Sequence, residues 1–301
     1  MPVIQTSHLT KYYGKARGII DLDLAVEKGE VFGYLGPNGA GKTTTIRALL
    51  GYLNPTSGSA QVLSRDAVRD AVPLRRRISY LPGELALYPN LTGEQTLRYF
   101  ASLAGGVDWP YAKSLAARLD FDMSRKVGQL SSGNRKKLGL LQALMRRSEL
   151  LILDEPTNGL DPLIQQIFYD LVREARQAGQ TVFLSSHILP EVERVCDRVG
   201  IIREGRLVTV EAVADLKAKA LRRLEIIFDA PVPGEAFRDL PGVRDVEVHN
   251  SRLRCTVSGS LDAVIKAAAQ FTVLNVITEE PHLEEIFLAF YGQGGDGEEV
   301  A

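Results

Sequence analysis

Gly36-Pro37-Asn38-Gly39-Ala40-Gly41-Lys42-Thr43 is the stretch on which the reading of this chain turns. It has the form GxxxxGK[ST] and stands between a continuous apolar run, Val31–Leu35, and a helix expected over residues 42–53. An unbroken apolar run of that length reads as a strand buried on both faces. The glycines let backbone N–H groups turn inward around phosphate oxygens. The helix that follows points its positive dipole end at the same anion. Gly36, Pro37, Asn38, Gly39, Ala40, Gly41 and Thr44 are therefore candidate phosphate-loop residues. Lys42 offers a charge to β- and γ-phosphates, and the Thr43 hydroxyl is a candidate Mg²⁺ ligand. An ordinary glycine-rich turn is the plain alternative, but it would not need to sit between a buried strand and a helix.

Downstream, Leu150-Leu151-Ile152-Leu153-Asp154-Glu155 is a second buried strand, ending in two acids. Ligands of open α/β sheets gather at the carboxyl ends of strands. Asp154 is thus placed to hold Mg²⁺ and Glu155 to polarise an attacking water as general base. Taken alone, the pair could equally cap a helix N-terminus. Strands expected at 181–184 and 199–202, with a helical stripe through Ile164, Phe168, Leu171, Val172 and Ala175, imply a parallel sheet with crossover helices. Residues 3–6 and 19–26 read as short antiparallel strands, and 97–145 as mostly helical.

At this point the chain resembles a known family. Leu130-Ser131-Ser132-Gly133-Asn134 looks like the LSGGQ signature of ABC ATPases and precedes the acids as it does there. Pro156-Thr157-Asn158-Gly159-Leu160-Asp161 is similar to the family's D-loop, and His187 follows a strand as its switch histidine does. The resemblance covers residues 1–220. It implies a P-loop NTPase fold of the ABC ATPase kind: a parallel core sheet, an antiparallel β-subdomain and a helical subdomain. It implies ATP and Mg²⁺ as ligands, and catalytic roles for Lys42, Glu155 and His187. Two such domains pair head to tail, so Ser131, Ser132, Gly133 and Asn134 would meet the ATP of a partner, either a second copy or a related ABC subunit. Asp161 would belong to the D-loop. Tyr13 sits where the family stacks an aromatic on adenine, with Tyr12 as the alternative. The sequence departs from the family in reading SSGN for SGGQ. It also lacks the Q-loop glutamine, whose position falls on Gly83. Glu84 beside it is either a replacement metal ligand or a solvated loop acid.

Composition sets the outer limits. At roughly 100–200 residues per domain, 301 residues make one large domain or two smaller ones. With 45% hydrophobic and 24% charged residues the chain is an ordinary globular one, neither disordered nor collagen-like. Balanced charge, 36 Lys+Arg against 37 Asp+Glu, argues against a nucleic-acid partner. The basic runs Arg75-Arg76-Arg77 and Arg135-Lys136-Lys137 then read as solvated helix faces. Cys196 and Cys255 have no metal or disulfide spacing and read as small core residues. The start shows no basic segment followed by an apolar one, and no run approaches the roughly 20 apolar residues of a membrane span. The expected place is cytoplasmic, peripheral on the inner face of the cell membrane.

Composition changes near residue 220. Residues 221–291 read as a small α+β domain, with a ferredoxin-like arrangement as the candidate topology and a last helix through Leu283, Ile286, Phe287 and Phe290. Residues 292–301 read as a disordered tail. That last helix resembles the end of ATPases paired with small export permeases. The expected function is the ATP-hydrolysing subunit of an ABC transporter, working in efflux through a separate transmembrane permease. The rival expectation is a non-transport ABC ATPase acting on ribosomes or DNA. Such proteins resemble this one in the ATP site but usually carry tandem cassettes or a long coiled coil, which this chain lacks.

Overall fold

The computed structural model describes residues 2–219 and 221–279. It divides into two compact units at Glu211/Ala212. The expected helix over Leu283–Phe290 and the tail 292–301 lie outside the described residues.

The first unit holds two sheets. The antiparallel one is built from β1 (Ile4–Tyr13), β2 (Ala16–Leu22), β3 (Ala25–Val26), β5 (Ser57–Val62) and β6 (Arg65–Asp66), in the order β2-β1-β5-β6 with β3 also on β1. Its strands differ from the expected ones. β1 runs to Tyr13 rather than Thr6, and residues 19–26 divide between β2 and β3. The cause is local: His8 and Asp21 take positive φ, and the β1 register shifts around Leu9. A bulge of this kind breaks the period-2 pattern that reveals a strand in sequence.

The second sheet comprises β4 (Val31–Leu35), β7 (Ile78–Leu81), β8 (Leu150–Asp154), β9 (Thr181–Ser186), β10 (Arg198–Arg203) and β11 (Arg206–Ala212). Their order is β11-β10-β4-β9-β8-β7, and β10, β4, β9, β8 and β7 run parallel. Every residue of β4, β8 and β9 is buried, as their apolar runs require. Phe183 packs between Phe32 (5.8 Å) and Tyr34 (5.3 Å) and helps fuse both sheets into one core. The order puts β4, β9 and β8 side by side, so the segments following their carboxyl ends open on one cleft.

Helices fill the connections. α1 (Lys42–Leu49) follows β4, and α2 (Ala71–Arg75) precedes β7. The helical stretch is α3 (Gly93–Leu103), α4 (Trp109–Arg118) and α5 (Ser132–Leu144). A reciprocal Thr92–Gln95 capping box starts α3, and Asp108 caps α4. α6 (Pro162–Gln177) lies between β8 and β9, with Ile164, Phe168, Leu171, Val172 and Ala175 buried as their spacing predicts. α7 (Leu189–Val195) follows β9.

The second unit opens with α8 (Val213–Lys219) and β12 (Leu221–Phe228). α9 (Glu235–Arg238), β13 (Val243–His249), β14 (Arg252–Ser258), α10 (Asp262–Ala268) and β15 (Val273–Glu279) follow. The sheet order is β13-β14-β12-β15, with antiparallel neighbours throughout. Leu224, Ile226 and Phe228 alternate inward onto Phe237, Leu253, Cys255 and Val257. Both cysteines are buried and free.

Candidate functional site

The phosphate loop turns between β4 and α1. Gly39 and Gly41 have φ of 79° and 110°, a region open to glycine at no steric cost. Gly41 is also the N-cap of α1 and makes no side-chain cap bond, which leaves the helix N–H groups free to meet an anion. A Cβ on Gly41 would lie 2.8 Å from the Gly18 carbonyl oxygen, so the loop and β2 meet too closely for any other residue. Pro37, Asn38, Gly39, Gly41, Lys42, Thr43, Thr44 and Glu155 line a cleft of about 220 Å³ together with Arg17 and Gly18. Gly36 and Ala40 lie beneath it in the loop. A Cβ on Gly36 would lie 2.4 Å from the Ile202 carbonyl oxygen, and Ala40 is buried.

Three strand ends meet there. The Thr43 hydroxyl donates to Asp154 Oδ2 at 2.9 Å, across 111 residues of chain. The Ser185 hydroxyl, on the neighbouring strand, donates to Asp154 Oδ1 at 2.5 Å. Both oxygens of this fully buried acid are therefore oriented. Glu155 follows at φ 48°, its N–H donating to the Ser185 carbonyl at 3.1 Å. Its Oε2 lies 2.7 Å from His187 Nδ1, and its Oε1 lies 3.1 Å from the Lys42 ammonium. Lys42, 6% exposed, also donates to the carbonyls of Gly36 (2.5 Å) and Pro37 (3.1 Å). Lys42, Thr43, Asp154, Glu155 and His187 thus come from three segments into one cluster.

The other motif residues lie apart from that cluster. Ser131 is the N-cap of α5, its hydroxyl accepting from the Asn134 backbone N–H (3.3 Å) and side-chain amide (3.2 Å). The shorter amide of Asn134 is thus folded onto the cap. Ser131 and Ser132 are exposed, Gly133 and Asn134 half-buried, and none lines the phosphate-loop cleft. A Cβ on Gly133 would lie 3.0 Å from the Gly159 carbonyl oxygen, so signature and D-loop pack together. Asp161 caps α6, accepting from the N–H groups of Leu163 and Ile164. Tyr13 and Tyr12 are both part-exposed, and the Tyr13 ring packs over Gly18 at the edge of the cleft.

The ABC transporter family pattern matches residues 19–158. The bacitracin transport ATP-binding protein BcrA of Bacillus licheniformis is 34% identical over 98% of this chain and 99% of its own. The linearmycin resistance ATP-binding protein LnrL of Bacillus subtilis is 31% identical over 97% and 99%. This chain belongs to the ATP-binding proteins of ABC transporters. A solved ATP-binding subunit of an ABC transporter superposes with TM-score 0.66 at 29% identity, covering 71% of this chain and 92% of that one. The fold is the P-loop ABC ATPase cassette, and the chemistry is ATP binding and hydrolysis.

Several residues of this ABC ATPase escape a motif search. Ser185 is visible only as one of two serines before His187, yet it orients both Asp154 and Glu155. Glu191, in the first turn of α7, is fully buried, and burial pushes its carboxyl up to about 7. Lys136 and Lys137 are not on a solvated face: they are 5% and 9% exposed and reach the carbonyls of Gly83 and Asp120. A long methylene stem lets a lysine cross a core and leave its charge at a polar atom, which a charge count cannot reveal. At the altered Q-loop, Glu84 is exposed. Gly83 is the position that faces the site, since a Cβ there would lie 3.6 Å from Asp154 Oδ2.

Proposed function

We propose that this chain energises an export transporter whose transmembrane permease is a separate protein. The observation that carries the chemistry is the Glu155–His187 contact at 2.7 Å, set beside Lys42 and next to the buried Asp154. ATP would lie with its phosphates in the loop, held by backbone N–H groups and Lys42, and its base against Tyr13. The hydroxyl of Thr43 and the carboxylate of Asp154 are oxygen donors 2.9 Å apart, a set that suits Mg²⁺. Held by these oxygens, Mg²⁺ would supply neutralisation of phosphate charge. Glu155 takes a proton from the attacking water, and His187 fixes the orientation of its carboxylate. Phosphate competes with Glu155 for the Lys42 ammonium, which frees Oε1 for water. Catalysis rests on positioning and electrostatics, with no covalent intermediate.

Ser131, Ser132, Gly133 and Asn134 serve the ATP of a paired subunit, a second copy or a related ABC chain. Their position outside this chain's own cleft supports that reading. Asp161 then orders the D-loop between the two sites, and Glu84 acts from the Q-loop as a coupling residue or outer metal contact. A groove of about 420 Å³ lined by Tyr52, Val72, Tyr80, Leu103 and Met145, with Arg75, Arg76 and Arg146 at its edge, offers a surface for an intracellular permease segment. No helix among the described residues is long and apolar enough to cross a membrane. In this reading the permease holds the chain at the inner membrane face. The names of the two relatives, one for resistance and one for bacitracin transport, support efflux and not action on ribosomes or DNA.

The test is expression with and without a candidate permease subunit, followed by fractionation and Mg²⁺-dependent ATPase assay. Co-sedimentation with membranes and hydrolysis stimulated by the permease are expected. Membrane-independent fractionation with polysomes would overturn the transport reading.

A further inference from the structure

Glu191 has no part in the motifs described above, yet it is the most deeply buried acid beside the Glu155–His187 pair that they do not use. Its side chain is 1% exposed, and Oε2 accepts a hydrogen bond from the Ser186 hydroxyl at 2.6 Å. The same Ser186 hydroxyl accepts from the Ile188 N–H at 2.9 Å. Ser186 and Ile188 flank His187, so the hydroxyl closes a turn with the histidine at its apex. The Glu191 carboxyl therefore anchors the turn that carries His187. That turn meets Glu155 at the 2.7 Å Glu155–His187 contact. The remaining oxygen, Oε1, is buried without a partner among the described residues. A simple helix-capping acid would turn such an oxygen to backbone N–H groups or to water. A buried carboxyl with an unused oxygen is costly, and an apolar residue would fill the space without that cost.

We propose that Glu191 is a positioning residue for ATP hydrolysis: its ionised carboxylate, accepting from the Ser186 hydroxyl, holds the turn that carries His187 in register with Glu155. This rests on the reading of Glu155 as the water-activating base. The charged and titratable groups around Glu191 are Glu155 and His187 at the site, Lys136 from α5, Tyr169 from α6 and Cys196 beyond α7. Burial raises its pKa most, neighbouring hydroxyls, Ser186 first, pull it back, Glu155 raises it and His187 lowers it, leaving it at about 7. The charged form is thus gained or lost close to neutral pH. A neutral carboxyl is a weaker acceptor than a carboxylate, so protonation loosens the bond to Ser186.

The experiment is steady-state ATP hydrolysis by the full chain across the neutral pH range, for wild type and Glu191→Gln. The amide is nearly isosteric and never ionises. The wild-type to variant ratio of kcat cancels the titration of groups common to both. We expect this ratio to rise from near one at about pH 6 to about ten at about pH 8, with KM for ATP within about twofold throughout. A ratio that is constant with pH, or a KM that moves with kcat, would overturn the proposal and leave Glu191 a packing residue. If Glu191→Gln does not fold, Ser186→Ala removes the same link. At about pH 8 its kcat should fall about tenfold with KM for ATP within about twofold, and unchanged turnover counts against the proposal. Normal turnover in Glu155→Gln would instead remove the general-base reading, an outcome separate from either result at Glu191.

Discussion

The two units of this protein solve burial in opposite ways. Among the described residues, every buried polar or charged side chain lies in the first unit, including Lys42, Lys136, Asp154, Ser185, Ser186 and Glu191. The core of the second is apolar throughout, with Phe228, Phe237 and Phe271 mutually packed at 5.8–6.1 Å. Burying an ion costs several kcal/mol unless it is paired. The first unit meets that cost with a network in which each group holds the next, and only such a network can do phosphoryl-transfer chemistry. The second carries no such network and can be stable without serving the reaction.

The contrast can be broken by mutation. Its sharpest test is Glu155→Gln, which keeps shape but removes the base; turnover should fall at least about 100-fold while ATP binding persists, read by hydrolysis rate and nucleotide affinity. Retained turnover would place the chemistry elsewhere. Next in size, Phe237→Ala in the second unit should destabilise that unit by about 3–5 kcal/mol, seen in its denaturation midpoint. ATP turnover at a temperature where the variant remains folded should stay within about twofold. A large loss of turnover without unfolding would erase the distinction between the units.

A smaller effect sharpens the account of the first unit. The folded pKa of Glu191 is raised from 4.5 to about 7, so its favourable contribution is full below about 4.5 and is lost as pH rises through about 7. Glu191→Gln removes that loss. Relative to wild type, the variant should therefore gain on the order of 2–3 kcal/mol of stability between the two ends of this window, measured by urea unfolding at each pH. A difference that does not change with pH would show that the acid is not strained. The smallest expected change is at the signature. Asn134→Gln adds one methylene at a half-exposed position whose amide only folds back on Ser131, so stability should move by less than about 0.5 kcal/mol in thermal unfolding.

Legibility in the sequence follows the same division between local and distant. The strands β4, β8 and β9 were readable because a strand buried on both faces must be an unbroken apolar run. The phosphate loop, the acids and His187 were readable because each chemistry sits on a few contiguous residues at a strand end. The continuation of β1 beyond Thr6 was not, since its bulge at His8 and its pairing to β2, β3 and β5 leave no alternation to detect. Arg135-Lys136-Lys137 was misread as a solvated run, because charge alone cannot tell a snorkelling stem from an exposed one.

By itself, the sequence of this protein determined which groups exist to do the chemistry: the inward-turning N–H groups around Gly39 and Gly41, the Lys42 charge, and the carboxylates at the end of Leu150–Asp154 and beyond. These are local consequences of residue type and spacing. Only the tertiary structure decided what each group touches. The order β4-β9-β8 brings Thr43 to Asp154, gives Ser185 rather than Ser186 to that acid, and turns Ser186 toward Glu191. Successive side chains on a strand point to opposite faces, so which serine meets which acid depends on the register of strands far apart in the chain, and that register is fixed by packing.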